Sequence, residues 1–531
     1  MTTKQLLSGN EAIARGAYEA GATVGTGYPG TPSTEILENF VRYPDVYCEW
    51  SVNEKVALEV AIGASLAGAR TLVTMKHVGV NVAADPLFTL SYIGIKGGLV
   101  IVSADDPDMH SSQNEQDNRH YALAAKIPML EPADSQEAKE FTKLAFKLSE
   151  KYDTPVFIRS VTRLAHTNSI VSHSKPTNRP LPQGFERNIK KYVMIPAFAR
   201  LRHLEVEKRL ALIAKESNEL SINQTEINDK KTGFITSGVN YHYLKEIYPE
   251  ATILKLGMIY PLPVEKIKKF CKIMKRVIIV EDLDPFLETL IKAMGITNVQ
   301  GKKLFPLTGE LNPDIIRGSL STNKSSPVSI NIDIPNRPPA LCPGCPHRQV
   351  FNVLKKLKLT VSGDIGCYTL GVLPPFSAMD TCIDMGASIG VAQGIEIASN
   401  RKKKNTVVAV LGDSTFAHSG ITGLLNAAYN GRHSLIIVLD NGTTAMTGMQ
   451  PNPSSGETIS GNPTIQIDYH KLGESMGLDQ DNIREVNAYK EDEIEKNITK
   501  LLTSEKLSLL VIKGLCVIFK TRRIKQLKKG K

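Results

Sequence analysis

Short apolar runs separated by helical patterns recur along the chain in three groups. In the first, residues 1 to about 170, the runs GATVGTG, TLVTM, GGLVIVSAD and PVFIRS read as strands buried on both faces. Between them lie helical stretches such as NEKVALEVAIGASLAGAR, where Val56, Ala57, Val60, Ala61 and Ala64 recur at helix spacing. A second, shorter group runs from KTGFITSG through ATILKLG and RVIIVED to about residue 300. The third runs from LTVSGDIG through NTVVAVLGDS and HSLIIVLDNG to LSLLVIKG. Alternation of this kind predicts mostly parallel sheets covered by helices. SHSKPTNRPLPQGFERN (172–188) and STNKSSPVSINIDIPNRPPALCPGCP read as linkers, and a charged helical segment is predicted over about 194–222. The expected fold class is α/β, with three α/β units over residues 1–180, 181–330 and 331–531.

Within the third group, VLGDSTFAHSG puts a carboxylate where a buried strand meets the next helix. Asn441, in VLDNGTTAMTG, follows Asp413 by 28 positions and also ends a buried-strand pattern. A right-handed strand–helix–strand unit opens both strand ends on one sheet edge, the edge where ligands of open α/β sheets bind. A carboxylate and an amide oxygen converging there are hard ligands for Mg²⁺, which completes its shell with phosphate oxygens and water. Gly-Asp-Ser alone is also an ordinary helix cap. The second half at this spacing turns the reading toward a metal-held diphosphate.

With 531 residues and 42% apolar content, the chain suits several domains. No window reaches the apolar length of a membrane span, and the N-terminus lacks a secretory apolar region, so a cytoplasmic protein off the membrane is expected. The net charge of +10 gathers partly in KTRRIKQLKKGK, read as a solvated segment rather than a nucleic-acid surface. Seven cysteines in a cytosolic chain matter by spacing, not as a disulfide framework. Cys342 and Cys345 form C-x₂-C, with Cys367 and Cys516 further on. Four thiolates suit a 4Fe-4S cluster, with zinc as the chemical runner-up. Cys382 is a spare candidate, and Cys48 and Cys271 read as buried, inert thiols.

GDS followed by DN resembles the thiamine diphosphate motif, with Ser414 in place of a more frequent glycine. GYPGTPSTE, SVNEKVALEVAIGASLAGAR, CPGCPHR and GDIGCYTLG occur in the order found in the 2-oxoacid:ferredoxin oxidoreductases. The chain resembles that family from residue 8 to about 516, and within it the large (alpha) subunits of the indolepyruvate-oxidising branch. The resemblance implies a pyrimidine-binding domain over 1–180, a middle transketolase C-terminal-like domain over 181–330, and a diphosphate- and Mg²⁺-binding domain over 331–531.

That cofactor needs a carboxyl group at its pyrimidine end and a metal–diphosphate anchor at the other. By position, Glu54 matches the family's activating glutamate; its bland alternative is part of a helix cap, and Glu59 is the weaker rival. Gly412, Asp413, Ser414, Asn441, Thr443 (through its carbonyl) and Thr447, beside Gly448, match the anchor, with Asp413, Asn441 and Thr443 on Mg²⁺. Gly386, Ala387 and Ser388 open a small-residue helix whose free N–H groups suit phosphate. Thr31 matches a threonine that contacts the 2-oxoacid, and His77 is expected to face the same cleft.

The implied reaction is ferredoxin- and coenzyme A-dependent oxidative decarboxylation of an aryl pyruvate, indolepyruvate first, giving indoleacetyl-CoA and CO₂. A smaller beta subunit is expected as partner, in a heterodimer or heterotetramer. The relatives' ferredoxin-like segment, with its two cysteine runs, does not follow LCVIFKTRRIKQLKKGK; the expectation is that another chain supplies those clusters, or that electron output is impaired. The rivals are a non-redox thiamine-dependent decarboxylase or synthase, and a scaffold subunit without turnover.

Overall fold

The computed structural model describes residues 4–177, 184–321, 335, 337–399, 407–504 and 506–529. The three groups of apolar runs form three separate sheets, in two compact units, Met1–Ser329 and Ile330–Lys531. Most of the segment expected to link the second and third groups lies outside the described residues. Among the described residues no helix is long and apolar enough to cross a membrane.

In the second unit the strands Thr360–Ser362, Val407–Gly412, Leu435–Asp440, Ser508–Lys513 and Ile483–Asn487 lie side by side in that order, all parallel. Their unbroken apolar runs follow from cover on both faces. Val408, Val410, Ile437 and Leu439 pack on one side, and Ala409, Leu411, Ile436 and Val438 on the other. Parallel order brings the strand ends Gly412, Asp440 and Lys513 to a common edge, with Asp440 paired to Lys513.

The first unit holds a seven-stranded sheet in the order Met258–Tyr260, Met129–Leu130, Val156–Val161, Leu99–Asp105, Thr71–Lys76, Val24–Gly27 and Tyr47–Trp50. All neighbours are parallel except the first pair. Met258–Tyr260 comes from the middle segment of the chain, a pairing no local pattern indicates. A five-stranded sheet, Val299–Gln300, Arg276–Val280, Thr232–Thr236, Thr252–Lys255 and Gln224–Glu226, and a ribbon of Lys4–Ser8 with Asn168–Ser172 complete the unit. The expected helices form at Glu54–Leu66 and Pro196–Ser217. The first buries Ala57, Leu58, Ala61 and Ser65, a face turned slightly from the one the pattern predicts, with Val56 and Val60 half-buried.

One apolar core joins the two larger sheets of this unit, from Val73, Leu99 and Phe157 to Ile235, Leu254 and Ile279. Two buried arginines reinforce that joint. Arg119 donates to Asp117 (2.5 Å) and to Glu281 (2.7 Å), while Arg159 meets Asp105 (2.8 Å) and Glu131. Glu131 in turn accepts from Ser237 Oγ at 2.8 Å. Burial works to raise the Asp117 carboxyl, but the Arg119 guanidinium outweighs it and holds the group down to about 2.

Removing one partner strands the others as buried charges. Arg119→Met is expected to destabilise the chain by about 3–5 kcal/mol in denaturant unfolding. Arg163→Met, which breaks the half-exposed pair with Glu310, is expected to cost under about 1 kcal/mol. Equal losses for the two variants would contradict the role given to burial.

Candidate active site

At the carboxyl edge of the second unit, the chain leaves the strand Val407–Gly412 into a short helical turn, Asp413–Thr415, a widened π turn, Phe416–Gly420, and the helix Ile421–Tyr429. Such π turns recur at functional sites. Gly412 is required by proximity: a Cβ there would lie 2.7 Å from the Tyr368 ring. Asp413 is buried, and its Oδ2 accepts from Asn452 Nδ2 (3.1 Å) and from Ser454 Oγ. Thr444 Oγ1 donates to Ser414 Oγ at 2.9 Å. The loops after the two strands therefore meet, as the spacing of Asp413 and Asn441 predicts.

Asn441 is held from two sides. Its Oδ1 accepts from Thr443 N (3.1 Å), and its Nδ2 lies 3.3 Å from His347 Nε2. His347 is buried, packs edge-on against Tyr368 at 6.0 Å, and is pushed down to about 4 by burial, so its ring is neutral and accepts. Thr447 Oγ1 donates to Gln450 Oε1 (2.6 Å), and Thr443 Oγ1 to the Gln450 carbonyl (3.1 Å), bracing the loop.

No cation of the chain pairs with Asp413 among the described residues. Burial first, and then the neighbouring Asp440 carboxylate, push its carboxyl up to about 7. Asp413, Asn441 and the Thr443 carbonyl offer hard oxygens from two loops that meet through Thr444 and Ser414, and the missing counter-charge fits a divalent cation such as Mg²⁺.

The expectation for Gly386, Ala387 and Ser388 needs correction. Their amides are not free: Gly386 N donates to Asp364 Oδ1 (2.8 Å), Ser388 N to Asp364 Oδ2 (3.0 Å), and Ala387 N to the Asp384 carbonyl (3.2 Å). Asp364 follows the strand Thr360–Ser362, and its carboxylate takes the electropositive end of the helix Ala387–Ala398 that a phosphate was expected to take. Gly386 keeps a structural role, with a left-handed φ of 98° and Ser419 where a Cβ would go.

Cys342, Cys345, Cys367 and Cys516 line a single cavity of about 90 Å³, together with His347 and Asn441. Cys516 N donates to the Asn441 carbonyl at 3.1 Å, so the thiol cavity adjoins the Asn441 loop. Burial, with the neighbouring cysteines adding to it, pushes the Cys345 and Cys367 thiols up to about 11. Thiolates are reached there only with a cationic centre present. Zinc holds four sulfurs about 3.8 Å apart, from Zn–S bonds of about 2.3 Å. Among the described residues no three of these sulfurs lie within 4.8 Å of one another, so the thiols as they stand are not gathered to zinc spacing. Cys382 stands apart, with its thiol on the Asp364 carbonyl at 3.5 Å. Cys48 and Cys271 are buried, their thiols pushed up to about 12 and about 11.

In the first unit, three adjacent parallel strands deliver Thr31, Glu54 and His77 to one carboxyl edge. Asn53 caps the helix Glu54–Leu66 through Val56 N at 2.9 Å, so the cap is supplied by Asn53 and not by Glu54. It lies buried against Gly79, where a Cβ would come within 2.5 Å of Glu54 Oε1. Glu59 is exposed and paired with Lys55. His77 is fully buried; neither ring nitrogen has a full hydrogen bond among the described residues, and burial lowers its pKa against the pull of nearby Asp105. Lys76, beside it, is also buried.

Lys76, His347 and Asp364 escaped the reading of the sequence although they stand inside the stretches MKHVGVN, CPGCPHR and GDIGCYTLG. Asn452 and Ser454, which hold Asp413, sit in the loop QPNPSSG and carry no local signal.

Residues 15–221 match the family described as pyruvate flavodoxin/ferredoxin oxidoreductase, thiamine diphosphate-binding. Residues 364–512 match the C-terminal thiamine pyrophosphate-binding domain of thiamine pyrophosphate enzymes. The 2-oxoglutarate:ferredoxin oxidoreductase of Magnetococcus marinus shares the fold, with a TM-score of 0.50 at 17% identity over 59% of this chain and 64% of that one. Fold and site thus define a thiamine diphosphate-dependent oxidoreductase of the 2-oxoacid class. The chain is 41% identical to the indolepyruvate oxidoreductase subunit IorA of Archaeoglobus fulgidus, over 98% of its own length and 87% of the relative's. It is 38% identical to that of Methanothermobacter thermautotrophicus, over 97% and 87%. The chain belongs to the indolepyruvate oxidoreductase subunit IorA family.

The folded pKa of Asp413, near 7, stands above its ordinary 3.8. Ionisation therefore opposes folding, and the metal-free chain is expected to lose stability as pH rises from about 4 to about 7, by up to about 4 kcal/mol. The rise in melting temperature on adding Mg²⁺ should accordingly be larger at pH 8 than at pH 5.5, and Asp413→Asn should flatten the difference. An equal Mg²⁺ effect at both pH values in the unaltered chain would contradict the assignment.

Proposed function

We propose that this chain is the large subunit of a ferredoxin- and coenzyme A-dependent enzyme that oxidatively decarboxylates aryl pyruvates, indolepyruvate to indoleacetyl-CoA and CO₂. The observation that carries the redox reading is the gathering of Cys342, Cys345, Cys367 and Cys516 around one cavity that also touches Asn441. A non-redox thiamine enzyme has no use for such a cavity. The names of the IorA relatives support indolepyruvate as the substrate and a further subunit as partner, which we take to be the smaller one.

When bound, thiamine diphosphate supplies a stabilised carbanion and a 4Fe-4S cluster accepts electrons singly. The chain's own residues divide the work. Asp413, Asn441 and the Thr443 carbonyl hold Mg²⁺ at the diphosphate, with Gly412, Ser414 and Thr447 shaping the loops around it. Glu54, turned from the helix cap, holds a proton at the pyrimidine ring. Thr31 faces the 2-oxoacid and the four cysteines hold the cluster, whereas His77, expected in the same cleft, is fully buried and serves as packing at that sheet edge. Residues 1–180 act as the pyrimidine-binding domain, 181–330 as the transketolase C-terminal-like domain, and 331–531 as the diphosphate-binding domain.

The test is anaerobic copurification with the small subunit, followed by assays of several 2-oxoacids with coenzyme A and a viologen dye. Indolepyruvate and phenylpyruvate are expected to be the best substrates. Glu54→Gln should retain thiamine diphosphate but slow exchange of its C2 proton by about 10²–10⁴-fold; fast exchange in that variant would rule the role out. Cys345→Ser is expected to lose iron and visible absorbance while keeping thiamine diphosphate. An iron-free yet fully active enzyme would instead favour the decarboxylase or synthase reading.

A further inference from the structure

We propose that Lys76 recognises the carboxylate group of the 2-oxoacid, a specificity-determining contact that rests on the reading of the Thr31 turn as the substrate-facing wall. Lys76 ends the strand Thr71–Lys76 at the carboxyl edge, next to the strand that delivers Gly30 and Thr31. Its stem lies against Gly30, where a Cβ would sit 3.0 Å from the lysine Cβ. Its ammonium donates to the Ser111 carbonyl at 2.6 Å and lies 3.4 Å from Ser111 Oγ. That hydroxyl is 3.5 Å from the Thr31 carbonyl, so lysine, serine and threonine form one continuous rim.

What the fold leaves unexplained is the charge. Lys76 is 8% exposed, and among the described residues no carboxylate lies within 4.0 Å of its ammonium. The nearest acid, Asp106, is satisfied by neutral donors: Ser111 N (2.8 Å) and Ser112 Oγ (2.5 Å) on one oxygen, Thr162 Oγ1 (2.6 Å) on the other. Holding the Ser111 carbonyl requires a donor but not a cation, and an unpaired buried ammonium is costly. Burial pushes it down to about 8, only partly opposed by Asp106. An incoming carboxylate supplies the missing counter-charge, while a neutral keto compound of the same shape does not. Exposed Ser111 lies over the ammonium at the solvent side, where such a ligand enters.

Ground-state recognition of this kind raises KM with little change in kcat when it is removed. In the anaerobic holoenzyme, Lys76→Met is expected to raise the KM for phenylpyruvate by roughly 10²-fold or more. The inhibition constant of its methyl ester, which lacks the charge, should change by less than about threefold, and Lys76→Arg should keep phenylpyruvate within about tenfold of the unaltered enzyme. Equal losses for acid and ester, in a variant that melts like the parent, would reduce Lys76 to a loop anchor and overturn the inference. An unaltered enzyme that oxidises no 2-oxoacid would instead overturn the proposed function, on which this inference stands.

Discussion

A carboxylate taken out of water needs a positive neighbour, and the described residues supply none for Asp413. Asn452 and Ser454 orient the group, and Asp440 makes its ionisation harder still. Everything around this residue follows from that tension. The parallel sheet brings the Asn441 loop to the same edge, His347 holds the amide from behind, and Thr443 engages its oxygen. The result is a set of hard oxygen donors that suits the proposed divalent cation.

The first unit treats its buried charges in the opposite way. Asp117, Glu281, Asp105 and Glu131 are answered by Arg119 and Arg159, and the Arg119–Glu281 pair ties one sheet to the other. Charges answered inside the chain build the scaffold. Charges with no opposite charge at hand among the described residues, Asp413 in one unit and Lys76 in the other, stand at carboxyl edges of their sheets, the edge where open α/β sheets receive ligands. Asp364 is a third case: its carboxylate serves the helix end of Gly386–Ser388 and so occupies an anion site with a protein group.

Much of this was legible in the residues. Runs such as VVAVLG and LIIVLD declare strands covered on both faces, because only burial on both sides removes the need for alternation. GDS and DN, one at each strand end, place Asp413 and Asn441 on one edge, since a parallel neighbour fixes both ends there. The helix at Glu54 was equally plain. Illegible were the strand Met258–Tyr260 crossing to Met129–Leu130, the occupation of the Gly386–Ser388 amides, and the support of Asp413 by Asn452 and Ser454. Each depends on which loop faces which, and short-range periodicity does not encode that.

The amino-acid sequence by itself therefore determined the order and type of the elements, the residues standing at the strand ends, and the family. Those are properties of local pattern, set within a few residues by burial and backbone preference. Only the tertiary structure decided that thiols from Cys342 to Cys516 line one cavity beside Asn441, that His347 touches its amide, and that Lys76 lies buried with no carboxylate among the described residues close enough to pair with it. Such neighbours arise from strand order and packing across many residues, where the free energy belongs to the assembled sheet edge and not to any one segment.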